Sequence, residues 1–272
     1  MGFLGIAKRH CGRASASSNI IGEVLSVNGG GPQFSYLGPS GPQKWGNLSP
    51  TYSACSNGRF QSPVNIVRSK CVSGRHLKPL DVEYSLAANA TLVDNLFNVA
   101  MKFDGNVGVL RLNDKNFSFI QMHWHSPSEH QLDGVRYDAE LHLVHKADDG
   151  GIAVIAVLYR YGHPDPLLTK IQSKLAQLMK VVHHSSSHEQ PQVPLGTFTT
   201  KQIRKHTRKY YRYVGSFSTP PCTEGVIWNI LGKVRKVNFT RAGRGFKGTI
   251  DLGMQEQLKT GSTIEREKNR DV

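Results

Sequence analysis

The chain has 272 residues, of which 38% are hydrophobic and 20% are charged. This length allows one large domain or two small ones, and the apolar content excludes wholesale disorder. No run of about 18 apolar residues occurs, which excludes a membrane-spanning helix, and four cysteines are too few for a disulfide-dense mini-protein.

The net charge is strongly positive, with 34 Lys and Arg against 20 Asp and Glu, a formal charge of +14. Such a charge favours contact with anions. The basic residues cluster in Lys201–Lys209 and in the tail from Lys233 onward. No zinc-finger, RRM or leucine-zipper pattern accompanies them, so no specific nucleic-acid partner is predicted. We interpret the clusters as solvated surface, with polyanion binding as the alternative.

Composition divides the chain into three parts. We predict that residues 1–33 are a disordered N-terminal leader or linker, because they are Gly- and Ser-rich and lack apolar periodicity. No leader type is recognisable: the apolar start is too short for a signal core, and the basic, Ser-rich stretch after it weakly suggests a transit peptide. Residues 34–237 predict a folded domain, and residues 238–272 a divergent basic tail.

Short apolar or alternating runs within 34–237 predict strands. They are Thr91–Val93, Phe97–Phe103, Val107–Leu112, Phe117–Trp124, Glu140–His145, Ile152–Tyr159 and Val226–Ile230. Apolar residues at three- and four-residue steps from Leu167 to Val182, after Pro166, predict a helix. The pattern is typical of one β-dominated domain with a few helices.

Three histidines carry metal-ligand spacing. His123 and His125 are one residue apart on a predicted strand, so both side chains project from the same face. His142 lies on the next predicted strand, which the connection allows to be an antiparallel neighbour. Three neutral imidazoles leave the fourth position of a tetrahedral zinc ion open, as in catalytic sites.

Two polar residues support this interpretation. Gln121 and Glu140 each stand two residues before a ligand histidine and on the same face, where they are placed to accept the free ring N–H. The alternative is that the histidines are ordinary half-buried residues. That alternative is the better one for a single histidine, whereas three histidines with polar partners favour the metal site.

These motifs resemble the α-class carbonic anhydrases, plant type. The resemblance covers about residues 34–236. It rests on Gln121–His130, Glu140–His145, Gln61–Val64, Tyr211–Tyr213 and Gly215–Gly225, together with Phe34–Tyr36 and Trp45–Gly46. It implies a single mainly β (α+β) domain, built on a central, mostly antiparallel twisted sheet with a few peripheral helices.

The resemblance also implies the chemistry. His123, His125 and His142 would bind Zn²⁺, which activates a water for the reversible hydration of carbon dioxide to bicarbonate. Ser218, in the family's threonine position, and Glu129 would orient that water as catalytic residues. Sulfonamide or anion inhibitors are expected. The implied substrate-binding residues are Ser218, Thr219, Val144, Val154, Phe217, Val226 and Trp228.

Two departures from the family affect this expectation. Asn95 occupies the place of the proton-shuttle histidine, and an amide carries no proton at neutral pH, so we expect a slow, buffer-dependent enzyme. The family's C-terminal segment, which supplies a backbone carbonyl to one ligand histidine, has no match after Val237. Either the tail substitutes for it by other means, or the gene model is wrong there.

The resemblance pairs Cys55 with Cys222 in a disulfide, with two reduced core thiols as the alternative. Glycosylation sequons begin at Asn47, Asn89, Asn116 and Asn238, which suggests a glycoprotein. A secretory, extracellular or plastid location is therefore expected. Besides the enzyme, a catalytically weak binding or storage protein on the same fold and a polyanion-binding module remain as hypotheses. The oligomeric state is left open.

Overall fold

The computed structural model describes residues 34–237, apart from residues 37, 73, 75, 76, 96, 164, 185–189, 201, 202 and 204–207. The predicted leader or linker over 1–33 and the predicted basic tail over 238–272 lie outside these residues and stay predictions.

Strands dominate the described part of the chain. They are β1 (Asn65–Ile66), β2 (Asp81–Tyr84), β3 (Ala87–Asp94), β4 (Val99–Phe103), β5 (Gly108–Leu112), β6 (Lys115–His125), β7 (Gln131–Leu132), β8 (Val135–Arg136), β9 (Ala139–Lys146), β10 (Ile152–Tyr161), β11 (Gln192–Thr199), β12 (Tyr210–Ser216), β13 (Glu224–Leu231) and β14 (Arg235–Val237).

The helices of the described residues are few. They are α1 (Trp45–Leu48), α2 (Ala54–Asn57) and α3 (Pro166–His184), with single 3₁₀ turns at Gly38–Ser40, Pro50–Tyr52 and Arg68–Lys70. None of these helices combines the length and the apolarity that a bilayer crossing requires.

The sheet confirms the predicted fold class. Its main path runs β11-β3-β4-β6-β9-β10-β13-β12, with β2 and β5 joined to β6 and with β14 joined to β10. Most pairs are antiparallel, and the exceptions in this sheet are β10 with β13 and β10 with β14. All seven predicted strands are present, as β3, β4, β5, β6, β9, β10 and β13. β4 begins later than predicted, because the Asn95 N–H donates to the Asn98 carbonyl and closes a turn there.

The centre of the sheet is buried on both faces, and the alternation of β9 separates the two. Leu141 and Leu143 face a core that includes the buried residues of α3. Val144 faces a second core on the opposite side, which includes Val154 and Trp228. Because side chains alternate along a strand, His142 lies on the same side as Val144. The sheet therefore separates a structural core from the face that carries the candidate site.

The predicted helix begins as its sequence indicates. Pro166 is its first residue, and the Asp165 carboxylate accepts a hydrogen bond from the Leu167 N–H at 2.9 Å. Arg235 Nε lies 3.0 Å from the other oxygen of Asp165, which is 2% exposed. This contact ties β14 to the start of α3.

A histidine outside the candidate site is buried in the structural core. His145 is 0% exposed, and its Nε2 lies 2.8 Å from the Tyr84 hydroxyl. Burial lowers the pKa of His145 from its ordinary 6.5 to about 4, because an imidazolium would lose its hydration there. The folded protein therefore holds His145 neutral at pH values where the unfolded chain binds a proton.

We expect His145 to make the fold acid-sensitive. The folded pKa lies below the unfolded pKa, so its contribution to stability is complete above about pH 6.5 and is lost as the pH falls to about 4. The loss amounts to about 3 kcal/mol. Urea unfolding at pH 7 and at pH 4 measures it. The His145→Gln variant has no titratable group at this position. Between pH 7 and pH 4 its free energy of unfolding should therefore fall by about 3 kcal/mol less than that of the unmodified protein. Equal losses in both proteins would contradict the prediction.

Candidate metal centre

The three predicted ligand histidines come together on the inner face of β6 and β9. The two strands are antiparallel neighbours, and His123 lies directly opposite His142 in the ladder. The ring centroids of His123, His125 and His142 lie 4.7–5.0 Å apart. Each ring offers a nitrogen, and the three nitrogens lie within 4.8 Å of one another. The predicted strand pairing is confirmed, and it assembles a group that can hold a metal ion.

The partners of His142 and His123 fix which ring nitrogen carries the proton. Glu140 Oε1 lies 2.8 Å from His142 Nε2, and Gln121 Oε1 lies 3.0 Å from His123 Nδ1. Both oxygens are acceptors, so both rings donate to them. The remaining nitrogens, His142 Nδ1 and His123 Nε2, then carry lone pairs.

These two lone-pair nitrogens face each other at 3.2 Å. No proton is available to bridge them, because each ring has already used its single N–H. A cation between them removes the repulsion. Two nitrogens at about 2.0–2.1 Å from a tetrahedral zinc ion are about 3.3 Å apart, so the observed separation fits such an ion.

His125 completes the triad. Unlike the other two rings, it has no outer partner among the described residues, that is, no hydrogen-bond acceptor for the ring nitrogen that points away from the metal position. Both of its ring nitrogens are buried, and neither has a hydrogen-bond partner among the described residues. The nearest carboxylate is Glu129, with Oε1 at 3.6 Å from His125 Nδ1, which is too long for a hydrogen bond.

The environment favours neutral rings, which is the form that binds metals. Burial lowers the pKa of His125 to about 4. The pKa of His123 is well below its ordinary value, first because of burial and then because of the charges of His125 and His142. Burial also lowers the pKa of His142, although the neighbouring Glu140 opposes the change. At neutral pH the triad therefore needs no deprotonation to accept a cation.

A cavity of about 70 Å³ opens onto the triad. Besides the three histidines it is lined by Asn98, Val144, Val154, Phe217, Ser218, Thr219, Pro220, Pro221 and Trp228. Six of the seven residues predicted to contact substrate are therefore in its wall. The seventh, Val226, is 2% exposed and packs in the second core without lining the cavity.

Glu129 is next to this wall, close enough to the Ser218 side chain for the two to interact. Burial raises the pKa of Glu129, while the charge of His142 and the Ser218 hydrogen bond act in the opposite direction. Glu129 Oε2 is buried without a hydrogen-bond partner among the described residues. The predicted pair of Ser218 and Glu129 is thus assembled next to the triad.

The loop that carries Ser218 is fixed at both ends. Cys222 forms the predicted disulfide with Cys55, whose Cα lies 5.0 Å away. At the other end, the Ser62 N–H donates to Ser216 Oγ at 2.9 Å, and the Ser216 N–H donates to Ser62 Oγ at 3.1 Å. The Trp228 indole N–H is also occupied, since it donates to the Ser216 carbonyl at 3.0 Å. Trp228 therefore presents only its apolar ring to the cavity.

Sequence reasoning missed a buried polar network behind the triad. His130 contacts Glu140 twice, through its backbone N–H at 2.8 Å and through Nδ1 at 2.6 Å. His130 Nε2 lies 2.7 Å from the Tyr213 hydroxyl, which lies 2.8 Å from Ser62 Oγ. All these residues belong to motifs that carry the resemblance, but no periodic pattern shows that they meet.

The comparisons agree with this architecture. A family model described as eukaryotic-type carbonic anhydrase matches residues 40–244. The chain is 37% identical to alpha carbonic anhydrase 4 of Arabidopsis thaliana, over 85% of this chain and 81% of that protein. It is 35% identical to dioscorin dioA3 of Dioscorea japonica, over 76% and 74%.

Among solved structures, the chain resembles the alpha-carbonic anhydrase from Thermovibrio ammonificans, which was determined with the inhibitor sulfanilamide. The TM-score is 0.70 and the identity 30%, and the match covers 81% of this chain and 92% of that one.

We expect the outer partner of His123 to control metal affinity. In Gln121→Ala the acceptor for His123 Nδ1 is lost, so the ring is free to turn and to change tautomer. Zinc affinity should then fall about 10- to 100-fold. Competition with a chromophoric chelator measures the affinity. The matched control is Gln177→Ala, on the exposed face of α3, and it should bind zinc like the unmodified chain. Equal affinities in the two variants would contradict the assignment.

Proposed function

Because the chain belongs to the eukaryotic-type carbonic anhydrase family, among plant α-carbonic anhydrases, we propose that it is a zinc enzyme that converts carbon dioxide reversibly to bicarbonate and a proton. The proposal rests above all on the facing lone pairs of His123 Nε2 and His142 Nδ1, 3.2 Å apart. His125 supplies the third ligand. When bound, zinc supplies a water whose pKa is lowered to about 7, the value known for carbonic anhydrases.

Ser218 orients that water. In this proposal its hydroxyl donates its one proton to the neighbouring Glu129, so toward the cavity its oxygen would only accept. A water beside Ser218 must therefore direct an O–H at Ser218, which turns a lone pair toward the substrate. Glu129 holds the Ser218 hydroxyl in this orientation from below.

The apolar part of the wall suits the substrate. Val144, Val154, Phe217 and Trp228 form one side of the cavity, and carbon dioxide carries no net charge and needs no hydrogen bonds. Phe217 is bulky and reduces the available space. The three histidines and the Ser218 hydroxyl form the polar side, so the substrate is placed between an apolar surface and an oriented water.

Proton release is the proposed limitation. Among the described residues that line the cavity, the three histidines are the only titratable groups. Asn95, proposed to replace the shuttle, is 7% exposed and bonded to its neighbours. Without a relay, the proton passes directly to solvent or buffer.

The disulfide between Cys55 and Cys222 supports an oxidising compartment, either secretory or within a plastid. Asn47, Asn89 and Asn116 are exposed, so glycans at these sequons would not disturb the core. Asn238 lies outside the described residues.

A catalytically weak binding or storage protein is the second candidate. Within residues 34–237 as described, neither ring nitrogen of His125 has a hydrogen-bond partner, and this favours the second candidate, since such a partner typically contributes 10- to 100-fold to metal affinity or activity. Zinc stoichiometry and sulfonamide-sensitive hydration distinguish the candidates. The enzyme should hold one zinc per chain and lose activity with sulfanilamide.

Turnover should depend on buffer. Reprotonation near about 10¹⁰ M⁻¹s⁻¹, with a group of pKa about 7, limits proton release to about 10³ s⁻¹. Stopped-flow hydration in weak buffer should give a turnover of this order, and added imidazole should raise it. A turnover near about 10⁶ s⁻¹, unaffected by imidazole, would contradict the prediction.

We expect activity to depend on the hydroxyl of Ser218 more than on the size of its side chain. Ser218→Ala removes the acceptor that orients the water, and we expect kcat/KM for hydration to fall about 10²-fold with zinc content unchanged. Ser218→Thr keeps the hydroxyl and restricts χ1, so it should retain at least the original activity. Full activity of the alanine variant would argue against this role.

A further inference from the structure

The cavity wall contains an amide whose orientation is set from outside the cavity. Asn98 lines the cavity, and it precedes β4, in which Ala100 lies opposite His123. Side chains two residues apart share a face, so Asn98 lies on the face of the sheet that carries the three histidines. Its Oδ1 accepts a hydrogen bond from Asn95 Nδ2 at 3.2 Å. Its Nδ2 has no hydrogen-bond partner among the described residues.

A chain of amides continues from Asn95 toward the surface. Asn95 Oδ1 accepts from Gln190 Nε2 at 2.6 Å, and Gln190 Oε1 lies 3.5 Å from Lys102 Nζ. Backbone contacts hold these segments together, since the Asp94 N–H donates to the Pro191 carbonyl at 2.9 Å. Asn95 therefore connects the cavity wall to the segment before β11.

Each member of this chain fixes the orientation of the next. An ammonium group has donors and no acceptor, so Lys102 requires the oxygen of Gln190 to face it. The Gln190 nitrogen must then face Asn95, and the Asn95 nitrogen must face Asn98. The nitrogen of Asn98 is left for the cavity. A charged group on β4 thus lies at one end of a series of contacts that reaches Asn98 in the cavity wall.

We propose that Asn98 is an oxyanion subsite of the metal cavity and that Lys102, through Gln190 and Asn95, positions its N–H₂ toward the ligand. The subsite would take a planar oxyanion of the carboxylate or bicarbonate class, with one oxygen at the metal and another at Asn98 Nδ2. This proposal rests on the proposed function, because it requires a metal at the triad.

Two anions of different shape test the subsite in the full-length, cobalt-substituted protein. Acetate offers a second oxygen to Asn98. Cyanide is too short to reach Asn98, so its affinity depends only on the metal and on the electrostatic potential of the protein. Titration of each anion, followed by the visible spectrum of the cobalt ion, gives two affinities. Both anions carry one negative charge, so a change in the net charge of the protein affects both affinities and cancels in their ratio.

Substitutions are chosen either to reverse or to keep the orientation of the hydrogen-bonded amides between Lys102 and Asn98. Lys102→Glu places an acceptor at its start, and Asn95→Asp places one beside Asn98, so each should turn the Asn98 oxygen into the cavity. Acetate affinity relative to cyanide should fall about tenfold in both. Lys102→Arg, whose guanidinium has only donors, should keep the original ratio. Asn98→Ala removes the amide and should lose the acetate preference whether or not the other variants fold.

The outcomes separate the two proposals. An unchanged acetate-to-cyanide ratio in Lys102→Glu, Asn95→Asp and Asn98→Ala, with cyanide still bound, would overturn the subsite and leave the metal site standing. Failure of the unmodified protein to bind cobalt would overturn the metal site and the subsite together. Equal loss of the ratio in Lys102→Arg and Lys102→Glu would also overturn the orienting role of Lys102.

Discussion

The buried carboxylate of Glu140 is the constraint on which the rest of the site depends. Its side chain is 0% exposed, and it meets donors from His142 and twice from His130. Burial alone would raise the pKa of Glu140, but the charges and hydrogen bonds of His130 and His142 hold it well below its ordinary value. An ionised carboxylate only accepts hydrogen bonds, so both rings must donate to it. The lone pair that His142 Nδ1 turns toward His123 is therefore a consequence of Glu140, and removal of one partner would leave a buried charge uncompensated.

The same network connects the triad to the loop that carries Ser218. From His130 it passes through Tyr213 to Ser62, whose backbone and hydroxyl hold Ser216. The disulfide at Cys222 fixes the other end of this loop. Catalytic orientation requires side chains held to within a fraction of an ångström, and a loop anchored at two points provides that more readily than one anchored at a single point. The polar groups behind the cavity thus contribute to its geometry without touching a ligand.

The parts of the molecule that follow local periodicity could be predicted from sequence. The period-two spacing of His123 and His125 placed both rings on one face, and the seven strands and α3 carry clear apolar patterns. Strands of two or three residues, such as β7 and β14, are too short to show any period. The contact between Gln190 and Asn95 joins residues 95 positions apart, and single buried polar residues produce no pattern at all. Sequence reasoning could therefore name Asn95 as a departure, but it could not find the partners that hold it.

The hydrogen-bond partners of Asn95 change how its presence in place of a histidine is interpreted. Under the proposed function, the lack of a shuttle would be a simple deletion if Asn95 faced solvent, and a histidine placed there could then act directly. Asn95 is instead buried, its Oδ1 accepts from Gln190, and its Nδ2 donates to Asn98. A neutral imidazole has one donor and one acceptor in a different geometry, so it could not replace both contacts of the amide without moving one of its neighbours. The proposed subsite thus gives Asn95 an orienting role at the position where the proposed function lacks a proton relay. Under these two proposals, proton transfer and ligand orientation would therefore compete for a single position.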